Sequence, residues 1–290
     1  MTYTCLHTHT NFCDGKADVE TMCRAAFEKG LASIGFSSHA PVDHAIGKTI
    51  WHLPQERLAE YLDTVLSAKQ RWAGKIDVYL GLEVDYIRGR MGPADRVYRE
   101  LGLDYVIGAV HYIYPPDGGE PSIVDASAGE FGSGLISRFG GDGEALAAAY
   151  WEAEAEMIRA GGFDILGHLD LIKKNNTGDR WFSTSAPPYL EKSAALVPLI
   201  AAAGCVVEAN TGGMNRGILS EPYPSPRLLS LLFQAGVPAI ITADAHQTAH
   251  LGGHYEEAKE ALLQAGYSRT AVFKGRTATG PSWQFVALHA

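Results

Sequence analysis

Seven short apolar or β-branched runs alternate with seven amphipathic stretches along this chain, and that alternation restricts its fold more than any other feature. The strand-like runs are Tyr3–His7, Ser33–Ser37, Asp77–Glu83, Tyr105–His111, Asp164–His168, Cys205–Asn210 and Ala239–Ala243. Helical periodicity covers Asp18–Lys29, Pro54–Trp72, Pro93–Leu101, Gly143–Ala160, Pro188–Ala203, Ser225–Ala235 and Tyr255–Ala265. Asp18 suits an N-cap and Pro54 and Pro93 a first turn, while glycines such as Gly30, Gly161 and Gly266 stand where helices should stop. Strand–helix alternation implies parallel strands joined by right-handed crossovers, hence a doubly wound sheet or a barrel. No repeat, charge block or Pro/Ser-rich linker divides the 290 residues, so one domain over 1–290 is expected.

One segment breaks the rhythm. Residues 115–143 (PPDGGEPSIVDASAGEFGSGLISRFGGDG) are glycine-rich and too long for a routine connection, which predicts a flap or an excursion over the site. Within it, Gly132-Ser133-Gly134 resembles a phosphate loop only weakly, because no strand feeds into it. The chain opens with polar residues and histidines where a signal peptide would need an apolar run, and its most apolar stretch, Val197–Val207, is too short to span a membrane. The four cysteines (5, 13, 23 and 205) show neither CxxC spacing nor a disulfide framework. A soluble cytoplasmic protein is expected. Its net charge of −9 argues against binding nucleic acid or an anionic membrane through bulk charge.

Eleven histidines in an acidic chain require an explanation. Strand one runs into His7-Thr8-His9 and strand two into His39; strands three, four and five end at Glu83, His111 and His168. Strand six ends at Asn210, and strand seven runs into Asp244-Ala245-His246. In a parallel barrel these ends meet at one mouth, where active sites are built. Alternate residues of a strand point the same way, so HxH can grip one ion. Any one histidine is more often a hydrogen-bonded structural residue, but the repetition at the same end of successive strands points to metal. His7, His9, His39, His111, His168 and His246, with Asp14, Glu83 and Asp244, exceed the three or four ligands of a single catalytic zinc. Two or three divalent ions (zinc, manganese or iron) are implied, with a carboxylate bridging. Cys13, beside Asp14, reads as a packed or partly exposed thiol.

The segments carrying these residues resemble a known family. HTHTNFCDGK, SSHAP around His39, GLEVDY around Glu83, GAVHY around His111, GHLDLIKK around His168, EANTGG after strand six and TADAH around Asp244 are similar to those of the PHP (polymerase and histidinol phosphatase) superfamily, in order and over nearly the whole chain. HTHTNFCDG, FGGDGEALAAAYWE and GHLDLIKK look more narrowly like monofunctional histidinol-phosphate phosphatases. The resemblance implies a distorted (β/α)7 barrel of TIM type with a trinuclear metal centre at the C-terminal ends of the strands. It implies His7, His9, Glu83 and Asp244 on the first metal, Asp14, His39 and His246 on the second, and a bridging Glu83 with His111 and His168 on the third. Asp244, Glu83 and His9 are accordingly the candidate catalytic residues. At position 14 many members carry histidine; the aspartate here is a competent ligand that favours harder ions.

The activity so implied is hydrolysis of L-histidinol phosphate to L-histidinol and phosphate, in histidine biosynthesis. Phosphate monoesters hydrolyse very slowly unaided, and clustered divalent ions supply positioning, charge stabilisation and an acidified shared water as nucleophile. Three ions bring about +6 to ligands totalling −3, so the mouth can be locally positive in an acidic chain. Arg216, after EANTGG, and Arg138, in the flap, are the candidate phosphate contacts. His44, His52, His250, His254 and His289 read as surface residues or as neighbours of the ligands, with His44 and His250 nearest the site. Three rival readings exist: a nucleotide or other small-ester phosphoesterase of the same superfamily, an amidohydrolase-type metal hydrolase, and a metal-binding module without activity. Glu83 at strand three, where amidohydrolases typically place lysine or histidine, disfavours the second, and an intact ligand set disfavours the third. The sequence does not fix the oligomeric state.

Overall fold

Strand β3 (Asp77–Asp85) displays the rule on which the architecture is built. Val78, Leu80, Leu82 and Val84 join one apolar cluster, while the intervening Tyr79, Gly81, Glu83 and Asp85 face the other way. The first face meets helices and the second lines a barrel. The computed structural model describes residues 3–42 and 51–288 of the chain. Its main sheet has seven strands, all parallel: β1 (Thr4–Cys5), β2 (Ser33–Phe36), β3, β4 (Tyr105–Ala109), β7 (Ile165–Leu166), β8 (Val206–Asn210) and β9 (Ala239–Thr242), in that order. Beyond β1 and β9 the sheet curls onto itself: Ala245 N donates to His7 O at 3.0 Å, and His9 N donates to Ala245 O at 2.9 Å. The two sequence motifs HTH and DAH therefore close the barrel with their own backbone. The expected distorted (β/α)7 barrel is the observed fold.

The helices follow their local signals. Asp18 caps α1 (Val19–Glu28), its carboxylate accepting from Thr21 N at 2.7 Å. Next come α2 (Leu58–Arg71) and α3 (Arg96–Glu100). The long stretch from Pro187 divides at Leu196, two residues before Pro198, which cannot sit in a helix interior, into α6 (Pro187–Ala195) and α7 (Val197–Ala203). A short α8 (Gly212–Asn215) and α9 (Pro226–Gln234) precede β9, and α10 (Tyr255–Ala265) follows it. No helix among the described residues is long and apolar enough to cross a membrane.

Inside the barrel, Tyr105 lies across the lower half, its hydroxyl donating to Leu6 O. It fits because Gly35 and Gly81 carry no side chain there; a Cβ on either would come within 2.5 Å of Tyr105. Below it, a hairpin of β10 (Arg269–Thr277) and β11 (Gly280–Ala287) packs Phe273 against Tyr79, with ring centroids 4.8 Å apart, and closes the floor. This hairpin lies outside the seven strands expected from the sequence, although its alternating TAVF and SWQF segments carry a strand signal.

The 115–143 segment is more ordered than its glycines imply. It contains β6 (Ser122–Ile123), paired antiparallel with β5 (Tyr112–Ile113), and then α4 (Ala128–Phe139). A reciprocal cap between Ser127 and Glu130 starts α4, a signature present in the sequence as Ser-x-x-Glu. Gly132-Ser133-Gly134 falls inside this helix, which removes it as a phosphate loop.

Helix α5 (Gly143–Ala160) contributes the fully buried Glu154. The Tyr150 hydroxyl lies 2.8 Å from Glu154 Oε1 and 2.9 Å from Leu169 O. One hydroxyl proton cannot serve both acceptors, and a carbonyl cannot donate, so Glu154 holds a proton towards Tyr150. Burial pushes this carboxyl up to about 8, from an ordinary 4.5. The folded form keeps the proton while the unfolded chain loses it near 4.5, so stability falls as pH rises between these values. Glu154→Gln should flatten that decline. Urea unfolding at several pH values should show the variant gaining on the parent by on the order of 1 kcal/mol per pH unit, up to about pH 8. Parallel pH profiles would show that Glu154 is ionised in the native state.

Candidate metal centre

The upper half of the barrel is charged. Glu83, 1% exposed, is its centre. Its Oε2 lies 3.0 Å from His39 Nδ1, 3.2 Å from His7 Nε2 and 3.4 Å from His9 Nε2. Its Oε1 lies 2.9 Å from His168 Nε2 and 3.6 Å from His111 Nε2. Asp244 Oδ1 stands 3.3 Å from His9 Nε2, and its backbone takes a left-handed φ of 47°, a conformation that aspartate tolerates better than most residues. A Cβ at Gly212 would come 2.6 Å from Asp244 Oδ2, so the glycine of EANTGG makes room for that carboxylate. On the outer side, Asp14 Oδ2 meets His246 Nε2 at 3.2 Å, and Asp14 Oδ1 lies 3.7 Å from His9 Nδ1 and 3.9 Å from His39 Nε2.

All nine residues singled out from the sequence as ligands come together at this mouth. Potential ligand atoms lie within 4.8 Å of one another in groups that include His9, Asp14, His39 and His246; His7, His9 and Glu83; His7, His168 and Asp244; and Glu83, His111 and His168. Buried His7 Nε2, His9 Nε2, His39 Nδ1 and Glu83 Oε2 have no hydrogen-bond partner, although they converge. Unpartnered buried polar atoms are costly, and cations bound among these side chains would offset that cost. Imidazole with carboxylate and no thiolate suits zinc, manganese or iron, so the residues present fit divalent metal.

Against the effect of burial, Glu208 and Glu83 raise His7, and Glu83 raises His39, above the ordinary histidine value. Burial opposes the charge of Glu83, but His39 and His7 outweigh it and hold the carboxyl well below the usual carboxylate range. Burial likewise opposes charge on Asp244, and Arg216 and His7 reverse the balance to the same effect. Burial, then the neighbouring His246 and His39, lowers His9 to about 3, leaving a neutral imidazole able to coordinate.

Two carboxylates that sequence reasoning did not assign to the ligand set fix the candidate ligands from behind. Glu208 Oε1 lies 2.8 Å from His7 Nδ1, and its Oε2 accepts from His168 N at 3.0 Å and from Asn210 Nδ2 at 2.9 Å. Asp85 Oδ1 lies 2.6 Å from His111 Nδ1, and its Oδ2 lies 2.7 Å from His52 Nε2. A carboxylate accepts, so each Nδ1 carries its proton and each Nε2 is directed at Glu83. Burial holds His52 below the ordinary histidine value, so a neutral His52 donates to Asp85 beside the Nδ1–H of His111. The signal was positional: Asp85 and Glu208 stand two residues from Glu83 and Asn210 on the same strand faces.

The remaining candidates divide. Arg216 Nη2 lies 3.1 Å from Asp244 Oδ2, with its Nε buried and unpartnered. Arg138 is turned into the flap, on Glu120 Oε2 at 3.3 Å, and among the described residues none of the nine is its partner. Cys13 Sγ lies 3.4 Å from His9 Nδ1. The side chains of His250 and Gln247 approach to 2.7 Å near the mouth, and exposed His254 pairs with Glu257 at the start of α10. His44 and His289 lie outside the described residues.

Comparison with known proteins gives four likenesses. A family model described as the PHP domain matches residues 6–212. A Deinococcus radiodurans protein named "Probable histidinol-phosphatase" is 30% identical, across 93% of this chain and 96% of its own. A solved Listeria monocytogenes structure, provisionally described as a histidinol phosphatase, superposes with TM-score 0.78 at 24% identity, over 87% of this chain and 98% of the other. A Lactococcus lactis histidinol phosphate phosphatase, solved with zinc, L-histidinol and phosphate, superposes with TM-score 0.66 at 17% identity, over 95% and 99%.

Replacing Asp85 by Asn or Glu208 by Gln should weaken divalent-metal binding by roughly 10- to 100-fold while the fold is kept. Titration with zinc against a competing chelator checks this; unchanged affinity in both variants would remove the orienting role.

Proposed function

The chain belongs to the PHP domain family, and on that premise we propose that it hydrolyses L-histidinol phosphate to L-histidinol and phosphate in a metal-dependent reaction. The observation that carries this reading is the convergence of nine imidazole and carboxylate side chains on buried atoms with no partner of their own. The histidinol-phosphatase relative at 30% identity supports the substrate, and the zinc, histidinol and phosphate of the Lactococcus lactis protein are consistent with both substrate and metal. We assign two or three ions, drawn from zinc, manganese and iron. His7, His9, Glu83 and Asp244 would hold the first, Asp14, His39 and His246 the second, and Glu83, His111 and His168 a third.

Divalent ions held there supply charge neutralisation for the phosphoryl group, orientation for in-line attack and a more acidic water. The chain's own residues do the rest. Glu208 and Asp85 hold protons on His7 Nδ1 and His111 Nδ1, which keeps both Nε2 lone pairs directed inward. Asp244, Glu83 and His9 form the working core. Arg216 is the phosphate contact: its guanidinium stays charged because Asp244 and Asp125 outweigh its burial, and its fork geometry matches a phosphoryl group. Arg138, held by Glu120, is assigned the lesser part of steadying the flap. Overall, the ester P–O bond breaks, water oxygen ends on phosphorus, and the leaving oxygen takes up a proton.

Purified protein should release phosphate from L-histidinol phosphate with added zinc or manganese. The release should stop on chelation and fall at least about 1,000-fold in His9→Ala. Pure metal-loaded protein that leaves histidinol phosphate intact, but turns over another phosphoester, would falsify the substrate assignment.

A further inference from the structure

The proposed substrate is not only a phosphate. Its amino group, two carbons from the ester oxygen, is a cation at neutral pH, and a mouth built of metal ligands and Arg216 offers it nothing. One carboxylate at the mouth has no place in the metal set. Asp125 follows β6 in the strip that Val124 ties to a ligand, Val124 N donating to His111 O at 2.9 Å. The strip is pinned from the other side. Asn175 Nδ2 donates to Val124 O at 3.1 Å and to Ala126 O at 3.0 Å, and Lys174 Nζ donates to Asp125 O at 2.8 Å and Oδ1 at 2.7 Å.

Among the described residues no hydrogen bond reaches Asp125 Oδ2, and the side chain is 34% exposed. Burial disfavours its charge, but Arg216, Lys174 and His111 outweigh this and keep it ionised. Asp125 is therefore a fixed anion within the fields of the proposed phosphate contact and of a metal ligand. Beside the strip lies a cleft of about 390 Å³ lined by Ala126, Ser127, Lys174, Asn175 and Ile218, next to the exposed part of this carboxylate. We propose that Asp125 Oδ2 accepts a hydrogen bond from the substrate ammonium, so that Asp125 selects amino-bearing phosphate monoesters over neutral ones. This rests on the functional reading above and adds a specificity residue to it.

The test compares kcat/KM for L-histidinol phosphate and for the desamino ester, 3-(imidazol-4-yl)propyl phosphate, in the metal-loaded parent, Asp125→Asn and Lys174→Met. The parent should prefer the amino ester by about 10- to 100-fold, the usual worth of a hydrogen bond to a charged group. Asp125→Asn should lose that preference by slowing the amino ester alone. Lys174→Met, which loosens the strip but keeps the carboxylate, should slow both esters alike. An equal slowing of both esters in Asp125→Asn, or its preference unchanged, would overturn the proposal. Should Asp125→Asn fail to fold, the parent still decides: equal turnover of the two esters contradicts an ammonium contact. A parent inactive on histidinol phosphate but active on other phosphoesters overturns the functional reading itself, an outcome read before any variant is measured.

Discussion

A single buried carboxylate, Glu83, organises the molecule. Five imidazoles from separate points along the chain (His7, His9, His39, His111 and His168) lie within 3.6 Å of its two oxygens. An isolated buried charge is among the costliest features a fold can carry, and compensation requires partners in good geometry. Those partners can meet only if the sheet closes, because the residues that complete the ring are also the ones that bridge its edges. The backbone pairing of His39 with Glu83 and of Thr8 with Ala245 makes closure and site assembly the same event.

The barrel divides into a lower half that stabilises and an upper half that works. Tyr105, Phe273 and Tyr79 fill the base with apolar volume, while Glu83, Asp85 and Glu208 rise from the same inward strand faces into a charged layer. Alternation within one strand thus delivers both halves: Tyr79 and Glu83 are two pleats apart on β3. The division also resolves the charge of the chain. A net −9 is spread over the whole molecule, whereas the mouth gathers imidazoles, Arg216 and the positions suited to divalent ions. A small anion is admitted there, and Asp125 adds a local negative site for a cation attached to it.

The sequence alone disclosed the strand–helix rhythm, the placing of His7, His9, His39, Glu83, His111, His168 and Asp244 at strand ends, and most helix limits, because each depends on neighbours within a few residues. Asp18 and the glycines announced their caps locally. What was not legible depended on distant partners. Glu208 and His7 are 201 residues apart, and Asp85 needs both His52 and His111 before its purpose is apparent. The β10–β11 hairpin carried a strand signal but no indication that it seals the base of the barrel. Helix α4 was masked by glycines, although Ser127 and Glu130 marked its start. Arg138 and Arg216 looked equivalent in sequence, and only folding separates the one held by Glu120 from the one against Asp244.

If this charged layer is a metal centre organised by Glu83, thermal melting with and without zinc will report it. Metal that binds only the folded state must raise Tm, by an amount that grows with free metal concentration. For the parent protein, zinc added after chelation should raise Tm by several degrees, and Glu83→Gln should abolish most of that rise. An equal rise in both proteins would mean that the carboxylate at the centre does not hold the metal.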